Sequence, residues 1–173
     1  LLPFENTSIM PARNSAGQFG FINFKGEEVV PFHFEDAKAF FDGKGYVKEN
    51  GKYGVIDVNG KYLVANRWND ITPAIVSGCD YIWVNDGGKW QCLQISTDKL
   101  CFDEKFDEVA PFDKKNRALY KSGDLFGAVS ANGATVLPLR FTSVSLASDA
   151  LDTIDKENKE AMTDSEAYRF NIY

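Results

Sequence analysis

The chain has 173 residues, 44% of them hydrophobic and 25% charged, which fits one globular domain with a sizeable core. A formal net charge of -6 argues against a nucleic-acid binder, which needs a basic face for its phosphate contacts. No run approaches the roughly 18 apolar residues of a membrane helix, and nothing at the start reads as a signal peptide.

Four segments align along the chain: QFGFINFKGEEVVPFHFEDA from Gln18, KYGVIDVNGKYLVANRWNDI from Lys52, KWQCLQISTDKLCFDEKFDEV from Lys89 and LFGAVSANGATVLPLRFTSV from Leu125. Their leading aromatics, Phe19, Tyr53, Trp90 and Phe126, are spaced 34, 37 and 36 residues apart. A turn follows at Gly26, Gly60, Asp98 and Gly133, and eight residues beyond each turn stands a second aromatic: Phe34, Trp68, Phe106 and Phe141. A period of this length marks a repeat architecture, in which one small unit cannot bury its own face and must stack on the next.

The second copy is the clearest. Tyr53 to Val58 has the composition of a strand, and Asn59-Gly60 is a favoured two-residue hairpin pair, with both positions at positive φ. Upstream, Tyr46 to Glu49 enters through Asn50-Gly51, a turn of the same chemistry. The pattern predicts three short antiparallel strands per unit, then a loop carrying Asp36, Asp70, Glu108 or Ser143. Alternation puts Ile22, Ile56, Leu93 and Val129 on one face with Phe24, Val58, Ile95 and Ala131. The other face carries the leading aromatic and then Asn23, Asp57, Gln94 or Ser130. Gly20, Gly54 and Gly127 follow the aromatic, leaving room for a neighbouring ring on the backbone. In the third copy Gln91 takes that place and an extra residue precedes Asp98, which predicts a β-bulge or a distorted hairpin.

These residues resemble the bacterial WG-repeat family, whose units carry an aromatic-Gly pair, a hydrophobic strand, a hairpin and a Val-Ile-Pro step before an aromatic. Here the pair reads Phe-Gly, Tyr-Gly, Trp-Gln and Phe-Gly. VVP at residues 29–31 and VLP at residues 136–138 match the step, and LLP at residues 1–3 resembles the end of a preceding repeat. The second and third copies lack the proline, so the chain resembles a divergent member. The resemblance implies repeat scaffolding and attaches no general reaction.

From Ser148 the composition changes. Seven acids between Asp149 and Glu166, against Lys156 and Lys159, carry -5 of the net charge. Ser148 reads as the cap of a helix over residues 149–162, and Thr163 with Glu166 reads as a second capping box before Tyr168 and Phe170. This segment is expected to act as a helical lid over the end of the array or as an acidic tail.

The chemistry-bearing candidates are few. His33 is the single histidine, so a multi-histidine metal site is absent and a Ser-His-Asp triad would have to use it. The stretches DGKGY at residues 42–46 and DGGKW at residues 86–90 do not fit a phosphate loop and read as turns. DEKFDE at residues 103–108 lacks calcium-loop spacing, and Lys114-Lys115-Asn116-Arg117 reads as a solvated turn. NTS at residues 6–8 matches a glycosylation acceptor formally. The two aromatic columns read as core between repeats, whereas Phe40-Phe41, Ile82-Trp83 and Tyr120 lie off them and read as candidates for exposed contacts. Cys79, Cys92 and Cys101 form no CxxC, and a Cys92–Cys101 bridge across a hairpin stays open. An odd count fits a reducing, cytoplasmic compartment. The chain starts at Leu1 rather than Met, so an export signal or upstream region also stays open.

The expectation is an all-β array of about four three-stranded antiparallel repeats, forming an open solenoid or curved sheet, with a C-terminal helical segment. A β-propeller is the alternative. The array spans residues 1–147, with units near 17–50, 51–87, 88–124 and 125–147 and a partial unit before 17; residues 148–173 form the cap or tail. The function expected is a non-catalytic repeat scaffold or protein-binding module whose partner is another protein. The alternatives are a carbohydrate- or cell-surface-binding module using exposed aromatics, a toxin-immunity or regulatory partner of an effector, and an enzyme built around His33, Glu35 and Asp36. No catalytic, cofactor-binding or metal-ligating residue is assigned.

Overall fold

The computed structural model describes residues 9–171. They form four antiparallel sheets, none closed into a barrel, and one C-terminal helix. The first sheet is β1 (Met10–Arg13), β2 (Phe19–Ile22) and β3 (Glu28–Phe34). The second is β4 (Asp36–Phe41), β5 (Lys44–Glu49), β6 (Lys52–Ile56) and β7 (Tyr62–Trp68). The third is β8 (Asp70–Thr72), β9 (Tyr81–Asp86), β10 (Lys89–Gln94) and β11 (Lys99–Leu100), and the fourth is β12 (Glu108–Val109), β13 (Arg117–Ser122), β14 (Leu125–Ser130) and β15 (Thr135–Phe141). Helix α1 runs from Val144 to Asn171. The array expected from the repeat is therefore present, and three of its sheets gain a further strand. Asp36, Asp70 and Glu108 open those strands instead of sitting in loops.

The eight-residue interval has a simple origin. The two aromatic columns are cross-strand partners: Phe19 faces Phe34, Tyr53 faces Trp68, Trp90 faces Phe106 and Phe126 faces Phe141. Each pair stands side by side at the open end of its hairpin, opposite the turn.

Between that pair and the turn, the return strand bulges. Residues 31–33 stand opposite Gly20, 65–67 opposite Gly54 and 138–140 opposite Gly127. A Cβ on Gly54 would lie 2.6 Å from the Val64 carbonyl oxygen and 2.9 Å from the Asn66 Cα. On Gly20 it would lie 2.7 Å from the Val30 carbonyl oxygen. What presses on these two glycines is chiefly the bulged backbone. At Gly127 the Tyr120 hydroxyl, at 3.0 Å, is the nearest group. The bulge expected in the third copy thus belongs to the other three. With Gln91 in the glycine's place, β11 ends after two residues, and the chain returns to the sheet at Phe106. The third hairpin is distorted, as its sequence implies.

The hairpin turns also depart from the two-residue form at Asn59-Gly60. Gly60 has φ 80°, but Asn59 is not among the residues at positive φ. Asp57 begins a wider turn, its Oδ1 accepting the N–H groups of Asn59 and Lys61 at 2.9 Å each. Asn23 and Asp113 do the same in their own turns. Asn50-Gly51, with φ of 51° and 78°, keeps the two-residue geometry expected of it.

The sheets stack in series. Ile56 faces backwards into a cluster with Phe21, Val30 and Phe34, while its neighbour Val55 faces forwards into a cluster with Ile71, Trp83 and Cys92. In the fourth sheet Val129 joins that second cluster and Ala128 packs under the helix with Ala147 and Leu151. Among the described residues, no core cluster joins the first sheet to the fourth. Both faces of a middle strand are therefore buried, and this corrects the expectation for Ile82-Trp83, which are 1% and 0% exposed.

The helix starts earlier than its composition suggests. Ser143 caps it, accepting the Leu146 N–H on Oγ at 3.2 Å. Ser148 lies inside it, and Thr163 does not start a second helix, because its hydroxyl donates to the Lys159 carbonyl within α1. The repeat remnant at residues 1–3 and the acceptor at residues 6–8 lie outside the described residues.

Candidate functional site

The second and third sheets each reach forward to the next through one central residue of the second strand, a place that recurs in the fourth. Tyr46, Trp83 and Leu119 occupy this place, opposite Val55, Cys92 and Ala128. The Ala74 N–H donates to the Tyr46 hydroxyl at 3.3 Å, and the Trp83 Nε1–H donates to the Ala110 carbonyl at 2.9 Å. Burial pushes the Tyr46 hydroxyl up to about 12. Trp83 also stacks on Phe112, centroids 4.9 Å apart. In the fourth sheet Leu119 replaces the hydrogen-bonding aromatic and packs beside the helix instead. The end of the array is thus written into the strand itself.

A second column marks the same end. Ala37, Ile71 and Val109 each stand three residues after the aromatic of the preceding return strand, and all three contribute to core. Val144 is the fourth member, but there the chain turns into a helix and leaves Val144 52% exposed. The helix packs on the fourth sheet's outer face through Ala147 and Leu151. Beside it lies an open groove of about 270 Å³, floored by Val109, Ala110, Leu119, Tyr120 and Phe126 and walled by Val144. Lys121 spans its rim, with Nζ 5.7 Å from the Phe126 ring centroid and 3.9 Å from Glu108 Oε2. The Tyr120 ring lies against Phe106, centroids 4.1 Å apart, and burial raises its hydroxyl pKa. The lining suits an apolar or aromatic side chain with a charged neighbour.

Several polar residues that the sequence singled out have structural partners. His33 is exposed, lies over Phe34 and sits 3.8 Å from Glu49 Oε2. Glu35 accepts the Gly51 N–H at 2.9 Å, and Asp36 accepts the Tyr53 hydroxyl and the Ala37 N–H. His33, Glu35 and Asp36 are thus engaged by different groups. Asp42-Gly43 and Gly87-Gly88 form turns at positive φ, and Asp42 accepts the Gly78 N–H across to the third sheet. In DEKFDE, Asp103 and Glu104 are exposed and Phe106 is buried. Asp107 accepts from Lys89 and from the Gly123 N–H, which together hold its carboxyl below the usual range. No group of three or more potential metal ligands occurs among the described residues.

Two features escaped sequence reasoning. The basic cluster is the exposed turn expected of it, but the sequence did not show that it also holds the helix: Arg117 grips Asp155 with two hydrogen bonds of 2.8 Å, and Lys115 adds a third at 2.9 Å. The groove was announced only by Tyr120, the one exposed-contact candidate that lines it. Phe40 instead packs edge-on against Phe21.

No helix among the described residues is long and apolar enough to cross a membrane. Residues 19–53 and 53–90 each match the family model of the WG containing repeat, so this stretch belongs to the WG-repeat family. The second match ends at Trp90, immediately before the Gln91 that replaces the glycine. No curated protein matches the chain.

Proposed function

We propose that the chain is a non-catalytic scaffold that binds another protein, and that the groove at the end of the fourth sheet is its contact surface. One observation carries the reading: the helix packs on the fourth sheet's outer apolar face and leaves Val109, Tyr120, Phe126 and Val144 around an open groove beside it. Aromatic floors with a charged rim are the usual anatomy of a protein-contact site. The acids and amides that would attract a catalytic reading are engaged in turns and in bonds between sheets.

The test compares the full chain with Val144→Arg, on the groove wall, and Ile75→Arg, at an exposed site in the loop between β8 and β9. Each is immobilised and exposed to lysate of the source organism. A protein retained by the parent chain and Ile75→Arg, but lost from Val144→Arg, is the expected result. Equal retention by all three, or retention by none, overturns the assignment.

A further inference from the structure

The third hairpin, already irregular, carries the molecule's closest thiol pair. Cys92 lies on β10 and Cys101 immediately follows β11, with Leu93 facing Leu100 as the adjacent register pair. The Cys101 N–H donates to the Cys92 carbonyl at 2.9 Å, which sets the two residues opposite each other. Their sulfurs are 3.0 Å apart and both are free thiols. Cys92 is fully buried, whereas Cys101 is half-buried at the point where the return strand leaves the sheet. Cys79, the third cysteine, is buried in its own loop with its thiol directed at the Tyr81 carbonyl.

We propose that Cys92 and Cys101 are a reversible dithiol–disulfide site, oxidised by exchange with a small-molecule disulfide such as oxidised glutathione, and that the bond fastens the third hairpin. Accessibility assigns the order of events. The Cys101 thiolate attacks one sulfur of the small disulfide, forming a mixed disulfide and expelling one thiolate. Cys92 then loses its proton and attacks the Cys101 sulfur; the protein disulfide forms and the second small thiol departs carrying a proton. Two protein thiols are oxidised and one small disulfide is reduced to two thiols. The hydrogen bond from Cys92 lowers the Cys101 pKa and raises that of Cys92, which suits an outer attacking thiol and an inner resolving one.

The site has a structural consequence. Beyond Cys101 the chain runs through residues 102–105 before pairing again at Phe106, where the regular hairpins need only three bulged residues opposite a glycine. Phe102 in this excursion meets Trp83 and lies 3.3 Å from where a Cβ on Gly133 would stand. A bond at Cys101 pins the start of that excursion and so steadies the junction of the third and fourth sheets.

The full chain is equilibrated in reduced and oxidised glutathione, quenched with alkylating reagent under denaturing conditions and digested with trypsin. Cleavage at Lys89, Lys99 and Lys105 places the three cysteines on separate peptides. The expected result is a linked Cys92–Cys101 pair with Cys79 alkylated, and a Tm raised by about 5–10 °C on oxidation. Cys92→Ser should instead trap glutathione on Cys101 and show no such redox-dependent rise. Alkylation of both thiols after full oxidation, a stable glutathione adduct on Cys101 in the parent chain, a Cys79 linkage, or failure of Cys92→Ser to trap glutathione would each overturn the proposal.

Discussion

Arg67 holds Asp98 across the junction of the second and third sheets, its Nη1 lying 2.9 Å from both carboxylate oxygens and its Nη2 3.1 Å from the Asp98 carbonyl. Asp98 has φ 53° at the turn position where the other copies have Gly26, Gly60 and Gly133. The residue that breaks the glycine pattern is thus the residue that ties two units together. Its side chain also accepts the Ala65 N–H at 3.2 Å, steadying the bulge of the preceding return strand.

Replacing Asp98 separates these two roles. Asp98→Ala loses the ion pair and keeps a side chain in the left-handed region, for a loss of about 1 kcal/mol. Asp98→Gly loses the pair but relieves the backbone, and should come within about 0.5 kcal/mol of the parent chain. Urea denaturation measures both, and Asp98→Gly less stable than Asp98→Ala would contradict this account.

Gly54 and Gly51 make a sharper pair. Gly51 has φ 78° with nothing within 4 Å of an added Cβ, so Gly51→Ala meets backbone strain alone, about 1 kcal/mol. Gly54→Ala drives a Cβ into the Val64 carbonyl and Asn66 backbone, and should cost about 3 kcal/mol or prevent folding. Chemical denaturation of the two variants side by side checks the order.

The helix should detach from the last sheet in acid. The hydrogen bonds from Arg117, and then Lys115, hold the Asp155 carboxyl well below the usual carboxylate range. A carboxyl depressed in the folded state contributes fully above its unfolded pKa of about 3.9, and that contribution is lost as pH falls towards the folded value. Thermal melts of the parent chain should therefore steepen their decline below about pH 4. Asp155→Asn should start lower at pH 7 and decline less over the same interval; parallel profiles would remove the ion pair from the account.

Two tryptophans test how the sheets are joined. Trp83→Phe leaves the Ala110 carbonyl without its indole donor and opens space against Phe112, for a loss of about 3 kcal/mol. The Trp68 Nε1 has no hydrogen-bond partner among the described residues, so Trp68→Phe loses no hydrogen bond and should cost about 1 kcal/mol less. Calorimetric melting of each variant gives the comparison.

The repeat was legible because Phe19 and Phe34, Tyr53 and Trp68 are cross-strand partners, and pairing fixes their interval. The opening strands were not legible, since Asp70–Thr72 and Glu108–Val109 are too short to show alternation. Ile82 and Trp83 misled for a related reason. Alternation sorts a strand into buried and solvated faces, but a sheet stacked on both sides buries both. The groove depends on what covers the fourth sheet. Nothing at Val144 itself distinguishes it from Ile71 until the helix that follows is seen.

The sequence repeat and the sheet are out of phase. The matched stretch 19–53 runs from one leading aromatic to the next, whereas a sheet runs from Asp36 to Trp68. Each sheet is therefore assembled from the end of one repeat and the start of the following one. Removing residues 19–52 would bring β1 alongside β6 in the place of β2, with Tyr53 standing where Phe19 stood. Unequal recombination at the aromatic positions can then lengthen or shorten the gene by whole periods without leaving a sheet missing its middle, so array length is free to vary while the joints stay the same.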